Sequence, residues 1–201
     1  MLTERFSAAL AFARHLHAGQ TRKDTDIPYL SHPMAVSALV LEHGGNEDAA
    51  IAALLHDVVE DQGGLAVARQ IAEQFGAHVA DLVIACSDTV ATEDVQKPPW
   101  KARKLAFIAA AATLPEEAAL IVTCDKIHNL SCLIRDLQRD GLATLHRFKS
   151  PELLGWYFST LTQALAPFAA IAPIGYLQRL SDQFEAMVRP PECTAGQIFV
   201  R

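Results

Sequence analysis

Residues 52–61 read Ala-Ala-Leu-Leu-His-Asp-Val-Val-Glu-Asp, an apolar segment with a histidine and an aspartate at its centre. Apolar residues recur here at helical spacing, so we predict a helix that starts near Asn46 and runs through Glu60. Such a helix does not carry charged side chains into a protein core without a partner, because desolvating each ion costs several kcal/mol. A divalent cation bound at His56 and Asp57 would remove that cost and supply a reaction centre.

Two other predicted helices carry residue types that bind metals. His32 lies in the segment 29–33 (Tyr-Leu-Ser-His-Pro), and Asp125 opens the segment 125–130 (Asp-Lys-Ile-His-Asn-Leu). Each pattern alone is a weak signal, but two imidazoles and two carboxylates together suit manganese, iron, zinc or a similar ion. Such an ion lowers the pKa of a water ligand from about 15.7 toward about 7–9. We therefore predict that His32, His56, Asp57 and Asp125 bind one cation.

Acidic residues follow the His-Asp pair. Glu60 lies four residues after His56 and three after Asp57, which places it on the same helix face one turn further on. A general base beside an activated water should lie at such a position, and Asp61 follows directly. The alternative interpretation of Glu60 is a solvated carboxylate near the end of the helix.

The composition narrows the class of protein. The chain has 201 residues, 51% of them hydrophobic and 20% charged, which indicates a globular protein able to bury a sizeable core. Its net charge of −6 argues against general binding to nucleic acid or to an anionic membrane. No apolar run approaches the roughly 20 residues of a membrane span. We expect a cytoplasmic protein with a small-molecule partner, and the sequence leaves open whether it forms a homo-oligomer.

The apolar spacing predicts helices throughout and no strands, so we expect an all-α fold. The predicted helices cover residues 3–19, 31–44, 46–60, 65–75, 77–87, 100–112, 115–139, 151–168 and 173–188. Thr3 and Ser31 are expected to cap the first two helices with their hydroxyl groups. Residues 20–30 and 88–99 are polar and contain proline, which predicts loops. One domain is expected over residues 1–188, followed by an extended tail over residues 189–201.

The order of the predicted ligands, His, His-Asp, Asp, resembles that of the HD-domain metal-dependent phosphohydrolases. The flanking residues resemble the alarmone hydrolases related to the Rel/Spo enzymes, and especially their small stand-alone members. The matching segments are residues 20–23 (Gln-Thr-Arg-Lys), 28–29 (Pro-Tyr), 32–33 (His-Pro), 53–61, 75–76 (Phe-Gly) and 125–130. The resemblance implies an HD-type helical fold for the domain at residues 1–188.

The resemblance also implies a function. The implied protein is a manganese-dependent hydrolase. It removes the 3′-pyrophosphate from guanosine tetra- or pentaphosphate (ppGpp or pppGpp), or from an adenine counterpart. The four predicted ligands match the metal ligands of the family, and Glu60 and Asp61 match the acidic pair that orients and deprotonates the attacking water. The residues expected beside the nucleotide are Arg22, Lys23, Tyr29, Lys126 and Asn129.

The sequence allows other interpretations of the basic residues and of the function. The basic cluster Lys97, Lys101, Arg103 and Lys104 is either a phosphate contact or a solvated helix face. Residues 22–32 lack the Ser-Gly-Glu-Pro run of the long family members, which leaves the preferred base undecided. A nucleotide phosphatase acting on a nucleoside monophosphate or on the 2′-phosphate of NADPH is the alternative enzyme, and a non-catalytic nucleotide sensor is a third reading. We expect hydrolysis without synthesis of the alarmone.

Overall fold

The computed structural model describes residues 1–89 and 98–189, with only the backbone at Asp61. Over these residues the chain forms helices, and an isolated bridge between Thr21 and Pro28 is the extent of its β-structure. The all-α prediction is confirmed. Lys97 and residues 190–201 of the expected tail lie outside the described residues, and the predicted domain boundaries stay a prediction. Among the described helices, none combines the length and the apolar character needed to cross a bilayer.

Ten α-helices make up the described part of the chain. They are α1 (Glu4–Leu16), α2 (Ser31–Glu42), α3 (Glu47–Leu55), α4 (Val58–Asp61), α5 (Gly64–Phe75), α6 (Ala77–Cys86), α7 (Trp100–Ala111), α8 (Glu116–Asp140), α9 (Leu154–Ala164) and α10 (Ile174–Val188). Short 3-10 helices cover Gly141–Arg147, Pro151–Leu153 and Ala166–Phe168. The helix predicted over residues 151–168 is therefore α9 with a 3-10 turn at either end.

Helix α3 lies at the centre of the core. Every residue from Ala49 to Leu55 is buried, because the segment is apolar on all sides. It contacts α1, α2, α6 and α8, and α2 also packs against α8. The small side chains of α3 allow these neighbours to approach closely. The three places that carry the predicted ligands are α2, the end of α3 and α8, and this packing brings them together in the middle of the molecule.

The helix predicted over residues 46–60 is interrupted, and this is a correction to the sequence analysis. Its start is as expected, because the Asn46 side chain accepts a hydrogen bond from the backbone N–H of Ala49 at 2.8 Å. However, α3 ends at Leu55, and α4 begins only at Val58 after a turn at His56 and Asp57. Successive residues of a continuous helix point about 100° apart. The turn instead directs both side chains toward one point.

The cap predicted at Ser31 is also wrong. Ser31 is the first residue of α2, and Leu30 occupies the cap position without a side-chain hydrogen bond. The N–H groups of Ser31 and His32 donate instead to the carbonyl groups of Pro28 and Tyr29, at 3.1 and 2.9 Å. The preceding turn therefore satisfies the first donors of the helix, and no hydroxyl group is needed. Thr3, by contrast, caps α1 as predicted, accepting from the N–H of Arg5.

The burial of α3 generates a prediction about stability. Ala52→Leu adds a bulky side chain at a position with no exposed surface, and we expect it to lower the free energy of unfolding by about 1–3 kcal/mol. Urea unfolding followed by circular dichroism measures this change. Ala66→Leu on the exposed face of α5 is the matched control and should change stability by less than about 0.5 kcal/mol. Equal effects of the two substitutions would contradict the central position of α3.

Candidate functional site

A narrow loop carries two of the predicted substrate residues to the site. Thr21 and Pro28 face each other across an antiparallel bridge, and the N–H of Arg22 donates to the carbonyl of Ile27 at 2.8 Å. The N–H of Tyr29 donates to the carbonyl of Gln20 at 2.9 Å, which closes the loop onto the start of α2. Arg22 and Tyr29 are therefore held beside the first turn of the helix that bears His32.

The four predicted metal ligands converge. The Nε2 atom of His32 lies 3.1 Å from Oδ1 of Asp125 and 3.5 Å from Oδ2 of Asp57. The Nε2 atom of His56 lies 3.1 Å from Oδ2 of Asp57 and 3.7 Å from Oδ1 of Asp125. The ligand atoms of His32, His56 and Asp57 lie within 4.8 Å of one another. The side chain of Asp57 is about a quarter exposed, whereas the other three are nearly buried.

These positions fit a divalent cation. Donor atoms about 2.1 Å from a shared ion and at right angles around it lie about 3.0 Å apart, close to the nitrogen–oxygen separations found here. The Nδ1 atom of His56 contacts the carbonyl of Ala53 at 2.8 Å, which assigns the proton of the neutral ring to Nδ1. Its Nε2 atom is buried and has no hydrogen-bond partner among the described residues. In the neutral ring, this buried nitrogen has a free lone pair and faces two carboxylates, so it is suited to bind a metal ion.

The neighbouring side chains orient these groups. The hydroxyl of Tyr29 donates to Oδ2 of Asp57, and the side-chain amide of Asn129 donates to Oδ1 of Asp125. The ammonium group of Lys126 contacts Oδ2 of Asp125. The Nδ1 atom of His32 lies 2.8 Å from Nδ1 of His128, so one of these two rings donates and the other accepts.

Burial disfavours the charged forms in this cluster, but the attraction between opposite charges outweighs it. The pKa of His56 lies well above its usual value, because Asp57 and Asp125 stabilise the imidazolium. The pKa of Asp57 lies well below its usual value owing to His56 and His32, and that of Asp125 chiefly owing to Lys126. For His128, burial and the nearby His32 and Arg22 lower the pKa to about 4.

Glu60 lies on the same side of the molecule as the four converging residues. Its side chain lines a cavity of about 130 Å³ together with theirs, and it forms an ion pair with Arg103 at 3.3 Å. This ion pair argues against the alternative of a solvated carboxylate. For Asp61 the backbone belongs to α4, and its side chain lies outside the described residues.

A second cavity of about 540 Å³ adjoins the first. Six residues line both cavities: Arg22, Tyr29, Lys104, Lys126, Asn129 and Tyr157. The larger cavity also has aromatic walls from Trp100, Phe148 and Phe158, and further cations from Lys23, Arg135 and Arg147. Positive charge and aromatic surface in one cavity suit an anionic ligand that contains a planar ring.

The predicted substrate residues divide between the two cavities. Arg22, Tyr29, Lys126 and Asn129 lie at the junction, where Arg22 donates to the side-chain oxygen of Asn129 at 3.1 Å. Lys23 lies further out, with its ammonium group 5.4 Å from the centre of the Phe148 ring. Four of the five residues predicted to contact the nucleotide therefore line both cavities, whereas Lys23 lines the larger cavity alone.

Within the basic cluster, the described members have different surroundings. Lys101 is exposed, with its ammonium group 5.8 Å from the centre of the Trp156 ring. Lys104 lines both cavities, and Arg103 contacts Glu60 and Asp88. The solvated-face interpretation therefore fits Lys101 alone among these three.

Sequence reasoning missed several residues of the site. Asp88 lies in a predicted loop and was not singled out, although it is almost fully buried between Arg103 and Lys104. Tyr157 and Phe148 gave no signal either, because aromatic residues at helical spacing are usually part of the core. Arg147 lies in a 3-10 helix that the apolar spacing did not predict, and its charge was the single available indication.

The comparison with known families assigns the class. Residues 9–147 match the family model of the HD domain, so the chain belongs to the HD-domain family. It is similar to the guanosine-3′,5′-bis(diphosphate) 3′-pyrophosphohydrolase MESH1 of Xenopus tropicalis, with 34% identity over 134 residues. This match covers 65% of the present chain and 68% of MESH1. The resemblance to the alarmone hydrolases inferred from the motifs is thereby confirmed.

Longer relatives match over a smaller share of their length. The chain is 32% identical over 130 residues to the bifunctional (p)ppGpp synthase/hydrolase SpoT of Escherichia coli, covering 65% of the chain and 18% of SpoT. The pyrophosphohydrolase of Haemophilus influenzae is 32% identical over 121 residues, which cover 60% of the chain and 17% of that protein. The chain thus spans less than a fifth of these two relatives.

Solved structures agree on the fold. A metazoan ortholog of SpoT, described as hydrolysing ppGpp, superposes with a TM-score of 0.71 and 28% identity, covering 92% of this chain and 97% of that one. A protein of Listeria monocytogenes superposes with a TM-score of 0.65 and 26% identity, covering 76% and 97%. The family and the His/Asp cluster together imply a divalent metal.

The raised pKa of His56 generates a prediction about metal affinity. A proton on His56 competes with a cation for Nε2, so affinity for Mn²⁺ should rise with pH, by up to about tenfold per pH unit, until the imidazolium has lost its proton. Titration calorimetry in two buffers with different ionisation enthalpies measures the affinity and the released proton. His56→Asn should abolish the binding, whereas His146→Asn, on an exposed residue, should leave it unchanged. Binding that is independent of pH would contradict a role for His56 as ligand.

Proposed function

We propose that this chain is a divalent-cation-dependent hydrolase that removes the 3′-pyrophosphate from ppGpp and pppGpp, giving GDP or GTP and pyrophosphate. The relative MESH1 bears the name of this activity, and 68% of its length is matched. The long relatives are matched over less than a fifth of their length, so no synthetase activity is proposed.

One observation carries the proposal. The small cavity beside His32, His56, Asp57 and Asp125 shares six wall residues with a larger cationic and aromatic cavity. A ligand that fills both would place phosphate groups beside the four converging residues and a planar base between aromatic walls. Purine nucleotides with a terminal diphosphate carry negative charge at one end and a planar ring at the other.

The four converging residues are proposed to hold the cation, and manganese is the expected ion. When bound, such a cation acts as a Lewis acid on phosphate oxygens and makes water a stronger nucleophile near neutral pH. The buried Nε2 atom of His56 and the contacts of Tyr29, Asn129 and Lys126 with the two carboxylates support this assignment.

Glu60 is proposed as the general base, with Asp61 beside it as the second acidic residue of the pair. In the proposed reaction the water oxygen bonds to the phosphorus attached to the ribose, and the bond from this phosphorus to the 3′ oxygen breaks. Glu60 accepts a proton of the water. The 3′ oxygen keeps the electron pair of the broken bond and takes up a proton from solvent, so the nucleotide leaves as GDP or GTP with a 3′ hydroxyl group, and pyrophosphate is the second product. The position of Glu60 in the wall of the small cavity supports this role.

The substrate contacts are proposed at the junction of the cavities. Arg22 and Lys126 would neutralise the diphosphate, because an overall acidic protein needs local positive charge to hold it. Tyr29 and Asn129 would orient the group by hydrogen bonds. Lys23 would act further out, beside Phe148. An adenine alarmone would meet the same phosphate contacts, so the proposal includes ppApp and pppApp.

The proposed partner is a small nucleotide, with no role for nucleic acid or membrane, and the proposed location is the cytoplasm. The net charge of −6 supports the exclusion of nucleic acid and anionic membranes, since both select basic surfaces. Light scattering on the purified protein would give its oligomeric state.

The role of Glu60 is tested by Glu60→Gln, which keeps the size of the side chain but removes its ability to accept a proton. We expect kcat for ppGpp to fall by about 10²- to 10⁴-fold, with the affinity for Mn²⁺ changed less than about twofold. Glu73→Gln, on the exposed face of α5, is the matched control. Full activity of the Glu60 variant would remove this residue from the mechanism.

The substrate class is tested by a panel of ppGpp, ppApp, GMP and NADPH with Mn²⁺, before and after chelation. We expect release of pyrophosphate from the alarmones, lost on chelation and restored by added metal. Release of orthophosphate alone, from GMP or NADPH, would favour the phosphatase alternative. Binding of the alarmone without any turnover would favour the sensor.

A further inference from the structure

We propose that Arg103 is a positioning residue that holds the carboxylate of Glu60 in place for catalysis. Its Nη1 atom lies 3.3 Å from Oε1 of Glu60 and also contacts Oδ1 of Asp88. One guanidinium group thus joins two carboxylates that belong to different segments, α4 and the residues after α6. The inference rests on the function proposed above, since it concerns the proposed general base.

The position of Glu60 requires an anchor from outside its own helix. Helix α4 is only 4 residues long and follows the turn at His56 and Asp57. The Glu60 side chain is 25% exposed at the small cavity. A general base works within about 2.6–3.2 Å of the proton that it accepts, and a misplacement of about 1 Å can cost about 10²-fold in rate. An ion pair from α7 restricts the carboxylate to such a position.

Arg103 is itself held by a buried carboxylate. The side chain of Asp88 is 3% exposed, and its second oxygen lies 2.5 Å from the ammonium group of Lys104. Thr89 donates to Oδ1 of Asp88 at 3.1 Å. Although burial raises the pKa of Asp88, Lys104 and Arg103 outweigh this and keep it below the usual value. Movement of Arg103 away from Asp88 would weaken the pairing of a buried charge, which is costly.

The geometry separates the role of Arg103 from that of its neighbour. Among the described residues, Lys104 is part of the wall of both cavities, whereas Arg103 is part of neither. Arg103 is 14% exposed and reaches the reaction centre through Glu60. Two acidic groups, Glu60 and Asp88, face two basic ones, so the formal charge of this cluster is balanced. Arg103 therefore acts on the base and not on the substrate.

The test is a double-mutant cycle between Arg103→Met and Glu60→Gln, with turnover of ppGpp measured at saturating Mn²⁺. We expect Arg103→Met to lower kcat by about 10- to 100-fold, with KM and the affinity for Mn²⁺ changed less than about threefold. In the Glu60→Gln background the same substitution should cost less than about twofold, because its effect passes through Glu60. Arg103→Lys should restore part of kcat.

Several results would overturn the inference. The first is an unchanged kcat in folded Arg103→Met. The second is a rise in KM that accounts for the whole loss of kcat/KM. The third is an equal loss of kcat when Arg103→Met is made in the Glu60→Gln background. If circular dichroism finds Arg103→Met unfolded, Arg103→Lys carries the test, with an expected fall in kcat of about 3- to 10-fold and the same dependence on Glu60. Arg69→Met, on an exposed residue of α5, is the charge-matched control. Failure of the proposed function is distinguishable, since the unmodified chain would then release no pyrophosphate from ppGpp.

Discussion

The site depends on the attraction between imidazole and carboxylate groups that lie side by side between α2, α8 and the end of α3. His32, His56 and Asp125 are each less than a tenth exposed, so none could carry a charge there without an opposite charge beside it. The alanine-rich α3 allows α2 and α8 to approach, because small side chains reduce the distance between helix axes. The packing that forms the core therefore also sets the distances between the imidazole nitrogens and the carboxylate oxygens.

Around this cluster, hydrogen bonds restrict the side chains that carry the charges. The carbonyl of Ala53 orients His56, and Tyr29 and Asn129 each donate to one of the aspartates. In metal sites, contacts of this kind hold the ligands in the geometry that a cation needs, so that little entropy is lost in ordering the side chains on binding. Helix α7 adds a further layer, because Arg103 and Lys104 reach from it toward the cavities and are tied together by Asp88.

The larger cavity shows how an acidic protein can gather positive charge at one place. The net charge of the chain is −6, yet Arg22, Lys126 and Arg147 all lie in the wall of one cavity. These cations come from a loop, from α8 and from a 3-10 helix, so their combined charge exists only in the folded protein. All three residues lie within the range 9–147 that matches the family model of the HD domain.

The sequence by itself determined the all-α class, most helix limits, and the four side chains that converge, because these depend on local spacing, on glycine and proline, and on polar residues within apolar segments. The family resemblance of its motifs also pointed to Arg22 and Asn129, which the structure joins by a hydrogen bond. Only the tertiary structure decided the turn after Leu55, the burial of Asp88, and the cavity wall at Tyr157. The contact of Arg103 with Glu60 joins residues 43 positions apart, and helical periodicity carries no information about such a distance. Contacts between separate elements arise from packing of the whole chain, which is the physical reason that local patterns could not predict them.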